Sequence, residues 1–215
     1  MTIQAVIFDV DGVLVDSYQA HFLSWREMLG EQGVKFTEKE FRATFGWRSK
    51  DIIASLYDGQ LTHQEIAGLD DRKEALYRDM LRQDFLAIDG AVELIDSLSE
   101  AGFALAVGSS GPLENIRLTL QCLGRADKFG AVVTRIDVTR GKPDPQVFQI
   151  GGERLGVAPS KCTVIEDAPA GIEAANRAGM TSIALTGTAS REELAHADLV
   201  VDSLRELSPK LIAER

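Results

Sequence analysis

The most informative residues are two aspartates that directly follow the first apolar run of the chain. The run AVIF at residues 5–8 leads into the segment DVDGVLVDS, in which Asp9 and Asp11 are two positions apart. Because side chains alternate between the faces of a strand, both carboxylates point the same way where the predicted strand ends. Two carboxylates that close persist when a cation lies between them or when one of them holds a proton. An ionised aspartate serves as a nucleophile and a protonated one as a general acid. The alternative interpretation of this segment is a strand that ends in a solvated turn.

Three further polar signals lie at the ends of other apolar runs. The run ALAVG at 104–108 is followed by SSGP and then by apolar residues at helical spacing. The serines suit the cap of that helix and the proline its first turn, so its free backbone N–H groups form an anion site. The third signal is the lysine in GKPDP at 141–145, and the fourth is the pair of acids that ends CTVIED at 162–167. The residues singled out are Ser109, Ser110, Lys142, Glu166 and Asp167.

Together these four signals resemble the motifs of the haloacid dehalogenase superfamily, a group of mainly phosphoryl-transfer enzymes. DVDGVLVDS is similar to the first motif, Ser109 to the second, Lys142 to the third, and Glu166 with Asp167 to the fourth. The motifs lie in the order of the family and cover the chain from about residue 7 to 186. Within the superfamily the chain is most similar to the β-phosphoglucomutase-like branch of small phosphatases and mutases.

Composition predicts a soluble globular protein. The 215 residues are 45% hydrophobic and 26% charged, and no apolar run approaches the ~20 residues of a membrane span. A strand that begins within a few residues of the N-terminus leaves no room for a signal peptide. The two cysteines have neither metal-ligand nor redox spacing, so we expect a reduced, cytoplasmic protein.

The net charge of −10 argues against nucleic acid or an anionic membrane surface as a partner. The resemblance implies instead a small phosphorylated metabolite as substrate. We expect a monomer, with a dimer as the alternative. Because that substrate is itself an anion, the site must supply positive charge through a metal, Lys142 and helix N-termini.

The order of predicted elements is that of an α/β protein with a doubly wound parallel sheet, a Rossmann-like core. The predicted strands are Ile3–Val10, Ala104–Ser109, Ala131–Arg135, Thr163–Ile165, Ser182–Leu185 and Leu199–Val201. The predicted crossover helices are Gly90–Ala101, Pro112–Leu123, Pro145–Leu155 and Pro169–Ala178. Ligands of such sheets bind beyond the carboxyl ends of the strands, where all four motifs lie.

The segment between the first and second strands shows helical patterns and no strand pattern. Its predicted helices are Phe22–Glu31, Thr37–Phe45, Ser49–Leu56 and Gln64–Leu81. We therefore predict a helical domain at 17–87, inserted into a core domain formed by 1–16 and 88–215. The resemblance implies that this insert is a cap that closes over the catalytic end and selects the substrate.

The resemblance also implies roles for the residues of the first three motifs. Asp9 is the expected nucleophile, which forms an aspartyl-phosphate, and Asp11 is the expected general acid and then base. Lys142 offsets the charge of Asp9 and of the transferred phosphate. Ser109 and the amide of Ser110 hold the phosphate oxygens.

A magnesium ion is the expected cofactor. Its ligands would be Asp9, the backbone carbonyl of Asp11 and Asp167, with water and phosphate oxygens completing the octahedron. Glu166 belongs to the same metal site, as a ligand or as a group that supports the ligands.

The predicted cap offers His21, Arg48 and Lys73 as residues that contact the substrate. His21 and Lys73 lie in segments similar to those in which β-phosphoglucomutases place a histidine and a lysine. Arg48 departs from the mutase pattern, in which the arginine that grips the distal phosphate lies one position later. Ser17 also replaces the threonine of the hinge.

We therefore expect a magnesium-dependent phosphatase that acts on a small phosphorylated metabolite, such as a sugar phosphate, through an aspartyl-phosphate. The alternative is a sugar-phosphate mutase of the β-phosphoglucomutase type. A carbon–halogen hydrolase would not need the magnesium site. A non-catalytic binding or regulatory protein would lack a catalytic group, and none is missing.

Overall fold

The computed structural model describes residues 4–44 and 49–215, so the predicted cap residue Arg48 lies outside the described part. Contacts divide the chain into two compact units. The first unit contains the residues up to Asp16 together with Leu86–Arg215, and the second is Ser17–Phe85. The boundary expected from the sequence, at residue 87, lies two residues further along the chain.

The first unit is built on a parallel sheet. Its strands in the described residues are β1 (Ala5–Phe8), β2 (Ala104–Gly108), β3 (Phe129–Val133), β4 (Cys162–Glu166), β5 (Thr181–Leu185) and β6 (Leu199–Val201). The spatial order is β3-β2-β1-β4-β5-β6, and every neighbouring pair is parallel. All four residues of β1 are buried although their side chains point alternately to opposite faces, so both faces of the sheet are covered. The prediction of a doubly wound α/β sheet is confirmed.

The position of β1 determines where a ligand can bind. From β1 the chain builds β2 and β3 on one side and then returns to place β4 on the other side. The strand order therefore reverses at β1, and the crevice beyond the carboxyl ends of β1 and β4 is the usual ligand site of an open α/β sheet.

Two predicted strands differ from the observed ones by two residues at an end. β1 ends at Phe8 rather than at Val10, because the Val10 carbonyl instead accepts the amides of the turn at residues 13–15. β3 is Phe129–Val133 rather than 131–135. The Asp137 carboxylate accepts the amide and the hydroxyl of Thr134, and these bonds end the strand in a turn.

Along the described chain, four α-helices of the first unit lie between successive strands, and a fifth follows β6. They are α5 (Ala91–Glu100), α6 (Leu113–Leu123), α7 (Gln146–Leu155), α8 (Pro169–Arg177) and α9 (Pro209–Ala213), with short 3₁₀ helices at Ala126–Lys128, Pro159–Lys161 and Leu204–Glu206. In α5 the buried residues Leu94, Ile95 and Leu98 follow the three-to-four spacing of an amphipathic helix. Across residues 4–44 and 49–215, no helix combines the length and the apolar character needed to cross a membrane.

The second unit has its own core. Its helices are α1 (Tyr18–Glu31), α2 (Glu38–Ala43), α3 (Ser49–Leu56) and α4 (His63–Gln83). Both α2 and α4 begin at a capping box, in which a threonine and the glutamate three positions later bond each other's backbone amides. Aromatic side chains fill the core between the helices, among them Phe22, Trp25, Phe36 and Phe41.

Candidate active site

Sheet register brings the first and fourth motifs together. Phe8, the last residue of β1, lies opposite Ile165 of β4. The amide of Asp9 then donates to the Ile165 carbonyl at 3.0 Å, so Asp9 leaves the sheet beside Glu166. On the other side of β1, Phe8 lies opposite Val107 of β2, next to the loop that carries the second motif.

Lys142 joins these two acids. Its Nζ donates to Oδ1 of Asp9 at 2.5 Å and to Oε1 of Glu166 at 2.7 Å. The ammonium also lies 4.9 Å from the centre of the Phe148 ring. With side-chain exposures of 11% for Lys142, 10% for Asp9 and 2% for Glu166, this is a buried ion triad rather than a surface salt bridge.

Both carboxylate oxygens of Glu166 have partners. While Oε1 accepts from Lys142, Oε2 accepts from the amides of Asp167 and Ala168, each at 2.7 Å. These amides lie just before α8, where free backbone N–H groups favour a negative charge. Gly171 in α8 leaves room for the glutamate, because a Cβ there would lie 1.8 Å from Oε1. Three hydrogen bonds and the close packing against Gly171 therefore restrict the position of the Glu166 carboxylate.

Asp167 completes a cluster of three acids. Oxygen atoms of Asp9, Glu166 and Asp167 all lie within 4.8 Å of one another, and all three residues are buried. Lys142 offsets one of the three negative charges when the acids are ionised. The remaining two charges match a divalent cation, and carboxylate oxygens are the ligands that a hard cation such as Mg²⁺ prefers.

The pKa values of these groups reflect the charge imbalance. Burial, with the charges of Glu166 and Asp11, raises the pKa of Asp9 to about 7 against the opposing effect of Lys142. Burial, followed by the charges of Glu166 and Asp9, raises the pKa of Asp167 well above its usual range. Burial lowers the pKa of Lys142, but the two acids it contacts raise it by more, so the ammonium stays charged.

The turn after β1 places Asp11 and Gly12 at the same cluster. Asp11 is half-buried and its charge acts on Asp9. Gly12 has a φ of +78°, a conformation that favours glycine. A Cβ at Gly12 would lie 1.9 Å from Oδ2 of Asp167 and 2.8 Å from Oγ1 of Thr188. The backbone of this turn thus packs directly against the Asp167 carboxylate.

The second motif lies at the end of β2. Ser109 is buried, its amide donates to the Val133 carbonyl at 3.0 Å, and its Oγ accepts from the amide of Gly111 at 3.0 Å. The predicted capping of α6 by the serines is wrong, because Pro112 is the N-cap residue and no side chain caps the helix. The serine hydroxyl orders its own loop instead. Ser110, the other predicted phosphate contact, is exposed.

His21 and Lys73 lie together in the second unit. The Nζ of Lys73 contacts Nδ1 of His21 at 2.9 Å and donates to Oε1 of Glu74 at 3.0 Å. The His21 ring stacks on Tyr77 with ring centres 4.1 Å apart. Because an ammonium can only donate, Nδ1 of His21 is the acceptor, and a neutral ring carries its proton on Nε2. Lys73 is only 2% exposed, and the Glu74 carboxylate balances its buried positive charge.

Sequence reasoning missed Glu74 and Thr188. Glu74 is adjacent to Lys73 in the chain, but glutamates are common on exposed helix faces and nothing in the pattern marks this one as buried. Thr188 lies in a loop far from every motif. Its contact with Asp167 arises only when the strands are assembled.

Comparison with known proteins identifies the family. The sequence model of the haloacid dehalogenase-like hydrolases matches residues 3–179. The chain belongs to the haloacid dehalogenase-like hydrolases. Its four motifs are those expected of the β-phosphoglucomutase-like branch.

Two relatives by sequence and one solved structure match this protein over nearly its whole length. Validoxylamine A 7'-phosphate phosphatase of Streptomyces hygroscopicus subsp. limoneus is 33% identical, over 95% of each chain. Beta-phosphoglucomutase of Bacillus subtilis is 30% identical, over 98% of this chain and 94% of its own. The solved structure of CbbY from Rhodobacter sphaeroides in complex with phosphate superimposes with a TM-score of 0.91, 25% identity and complete coverage of both chains. The protein is thus a phosphotransferase of the phosphatase and mutase type.

Proposed function

We propose that this protein is a Mg²⁺-dependent phosphatase that hydrolyses a small phosphorylated metabolite, most suitably a sugar phosphate, through an aspartyl-phosphate on Asp9. The observation that carries the proposal is the buried contact of Lys142 with Asp9 and Glu166, beside Asp167. Three acids with one ammonium suit a divalent cation. The relatives named validoxylamine A 7'-phosphate phosphatase and beta-phosphoglucomutase support a small phosphorylated metabolite as substrate, and the second name supports a sugar phosphate.

A bound Mg²⁺ would neutralise phosphate oxygens and the developing charge on them. Asp9 and Asp167 are the carboxylates proposed to hold it, together with the backbone carbonyl of Asp11. Glu166 supports them, because its oxygens already accept three hydrogen bonds.

Two steps follow from the proposed roles. In the first, the Asp9 carboxylate attacks phosphorus, the bond from phosphorus to the leaving oxygen breaks, and Asp11 donates a proton to that oxygen. In the second, Asp11 takes a proton from water, the water oxygen bonds to phosphorus, and the bond to Asp9 breaks to release phosphate. The charge of Lys142 favours the ionised form of Asp9, and its hydrogen bond orients the carboxylate. Ser109 and Ser110 are proposed to contact the phosphate oxygens.

Selection of the substrate is proposed for the second unit. Lys73 supplies a fixed positive charge, and the N–H at Nε2 of His21 supplies a directed donor for a hydroxyl or phosphate oxygen. A cytoplasmic location and a monomeric state stay predictions.

The test is phosphate release from an aryl phosphate, with Mg²⁺ and with a chelator. We expect Asp9→Asn to lose activity by at least about 1,000-fold, because an amide cannot serve as the nucleophile. Asp127→Asn, the same substitution at an exposed aspartate, is the matched control and should keep full activity. Equal rates for wild type and Asp9→Asn would refute the mechanism.

A mutase is the second candidate, favoured by the similarity to beta-phosphoglucomutase. A mutase must transfer the phosphoryl group to a sugar hydroxyl faster than to water. Supplying β-glucose 1-phosphate with Mg²⁺ and a trace of the bisphosphate separates the two activities. Formation of an isomer without free phosphate would replace the phosphatase proposal by the mutase.

A further inference from the structure

Thr188 lies where the fold brings a third loop to the acidic cluster. Asp167 directly follows β4, and β4 lies between β1 and β5 in the sheet. Since all three strands are parallel, the loops that follow β1 and β5 flank Asp167 from opposite sides. The loop after β1 contributes Gly12, and the loop after β5 contributes Thr188.

Two observations place Thr188 against Asp167. The Thr188 side chain acts on the Asp167 carboxylate as a hydrogen-bond partner that lowers its pKa, against the raising effect of burial. Independently, a Cβ built on Gly12 would lie within 2.8 Å of Oγ1 of Thr188 and within 1.9 Å of Oδ2 of Asp167. The glycine backbone, the carboxylate and the hydroxyl therefore meet at one point.

We propose that Thr188 is a positioning residue, which fixes the Asp167 carboxylate in the orientation needed to bind the divalent cation. This inference rests on the cation of the proposed function. An aspartate side chain rotates about two bonds. The Thr188 hydroxyl on one side of the Asp167 carboxylate and the Gly12 backbone on the other restrict that rotation. Partners of this kind typically change metal affinity by 10-fold to 100-fold.

Asp167 depends on Thr188 more than Glu166 depends on any one partner. Glu166 accepts hydrogen bonds from Lys142 and from two backbone amides. Asp167, in contrast, lies beside the like charges of Glu166 and Asp9, which raise its pKa, while Thr188 and the charge of Lys142 lower it. A neutral hydroxyl donor offsets part of that repulsion without occupying all the lone pairs that a cation needs.

The chain provides a matched control in the same loop. Oγ1 of Thr186 donates to Oδ1 of Asp202 at 2.8 Å, so its hydroxyl also bonds an acid, but one outside the cluster. Thr186→Val and Thr188→Val therefore remove the same group from positions two residues apart. Thr188→Ser keeps the hydroxyl and should restore the wild-type property.

The experiment is isothermal titration of each metal-free protein with MgCl₂, with thermal melting as a check on folding. We expect Thr188→Val to bind Mg²⁺ about tenfold more weakly, and Thr186→Val and Thr188→Ser to bind it as wild type does. At saturating Mg²⁺, kcat of Thr188→Val should return to near the wild-type value.

Two results would overturn the inference: equal Mg²⁺ affinity of wild type and Thr188→Val, or an equal weakening by both valine substitutions. The second result would show only a general effect on the loop. Absence of Mg²⁺ binding by the wild type would instead refute the proposed function itself, so the two failures are distinguishable.

Discussion

Replacing Gly171 by alanine tests whether the position of the Glu166 carboxylate controls the active site. Gly171 lies in the first turn of α8, and a Cβ there would lie 1.8 Å from Oε1 and 2.0 Å from the carboxyl carbon of Glu166. To reach an ordinary van der Waals contact of 3.4 Å, Oε1 must move by about 1.6 Å. Such a shift breaks the hydrogen bond from Lys142 and strains those from the two backbone amides.

Two opposing effects set the magnitude. Alanine in place of glycine stabilises a helix by about 1 kcal/mol. Against this, Glu166 accepts three hydrogen bonds as an ionised group, each worth about 2 kcal/mol. Breaking one and weakening the other two should cost about as much as losing two, or about 4 kcal/mol. The net result is a loss of about 3 kcal/mol in the free energy of unfolding, or a fall in Tm of roughly 6 to 12 °C for a chain of this size.

Activity should fall further than stability alone explains. Lys142 contacts both Glu166 and Asp9, so displacing Glu166 also displaces the ammonium from the proposed nucleophile. A misplacement of about 1 Å in an active site costs about 100-fold in rate. We expect kcat of Gly171→Ala to fall by about that factor at a temperature at which the variant is fully folded.

Thermal melting and phosphate release measured on the same samples check this prediction. Gly68→Ala is the control, because Gly68 lies in α4, is exposed, and has nothing within 4 Å of the position of a Cβ. It should gain about 1 kcal/mol in stability and keep its activity. If Gly171→Ala instead gains stability like Gly68→Ala and keeps wild-type kcat, the position of Glu166 is not critical and the reasoning is refuted.

Two further predictions concern protonation and the second unit. Because the pKa of Asp9 is raised to about 7, Asp9 of the metal-free folded protein becomes protonated as the pH falls below that value. Mg²⁺ affinity measured by calorimetry should therefore be about tenfold weaker at about pH 6 than at about pH 8. Equal affinities at the two pH values would contradict the role of Asp9 as a ligand. Glu74→Gln removes the charge that balances buried Lys73 and should cost about 3 kcal/mol in stability and raise KM more than it lowers kcat. Glu31→Gln is the control: it removes the exposed partner of Arg72 and should change neither KM nor Tm appreciably. Equal effects of Glu74→Gln and Glu31→Gln would show that the buried pair of Lys73 and Glu74 has no special role.

The sequence was sufficient to predict the contacts that depend on parallel strands alone. Asp9 and Glu166 each follow an apolar run, and equal register in neighbouring strands places them side by side. The strand boundaries were harder, because hydrophobicity does not show that the Asp137 carboxylate ends β3 at Val133. Asp137 lies four residues beyond the end of β3 and acts through a local turn with Thr134, which a pattern of apolar residues does not record.

Gly151 and Gly152 show why other features could not be predicted. Two glycines within a helix are unfavourable by propensity. In the structure, a Cβ on Gly151 would lie 3.2 Å from Ile7 of β1, and one on Gly152 would lie 3.3 Å from the side chain of Met180. The glycines therefore let α7 approach the sheet closely, a reason that depends on residues more than 25 positions away.

The charge of the site links the acidic composition to the proposed chemistry. A chain with a net charge of −10 repels a phosphate ester at long range, and three ionised acids with Lys142 leave two further negative charges at the cluster. A divalent cation removes that excess, so it should contribute to substrate binding as well as to turnover. Without the cation, the buried carboxylates of Asp9 and Asp167 have raised pKa values. A proton on either group reduces the repulsion between the acids. The same repulsion that makes the cluster unfavourable alone would therefore favour binding of the proposed cation, and the contacts of Lys142 with Asp9 and Glu166 offset part of that repulsion.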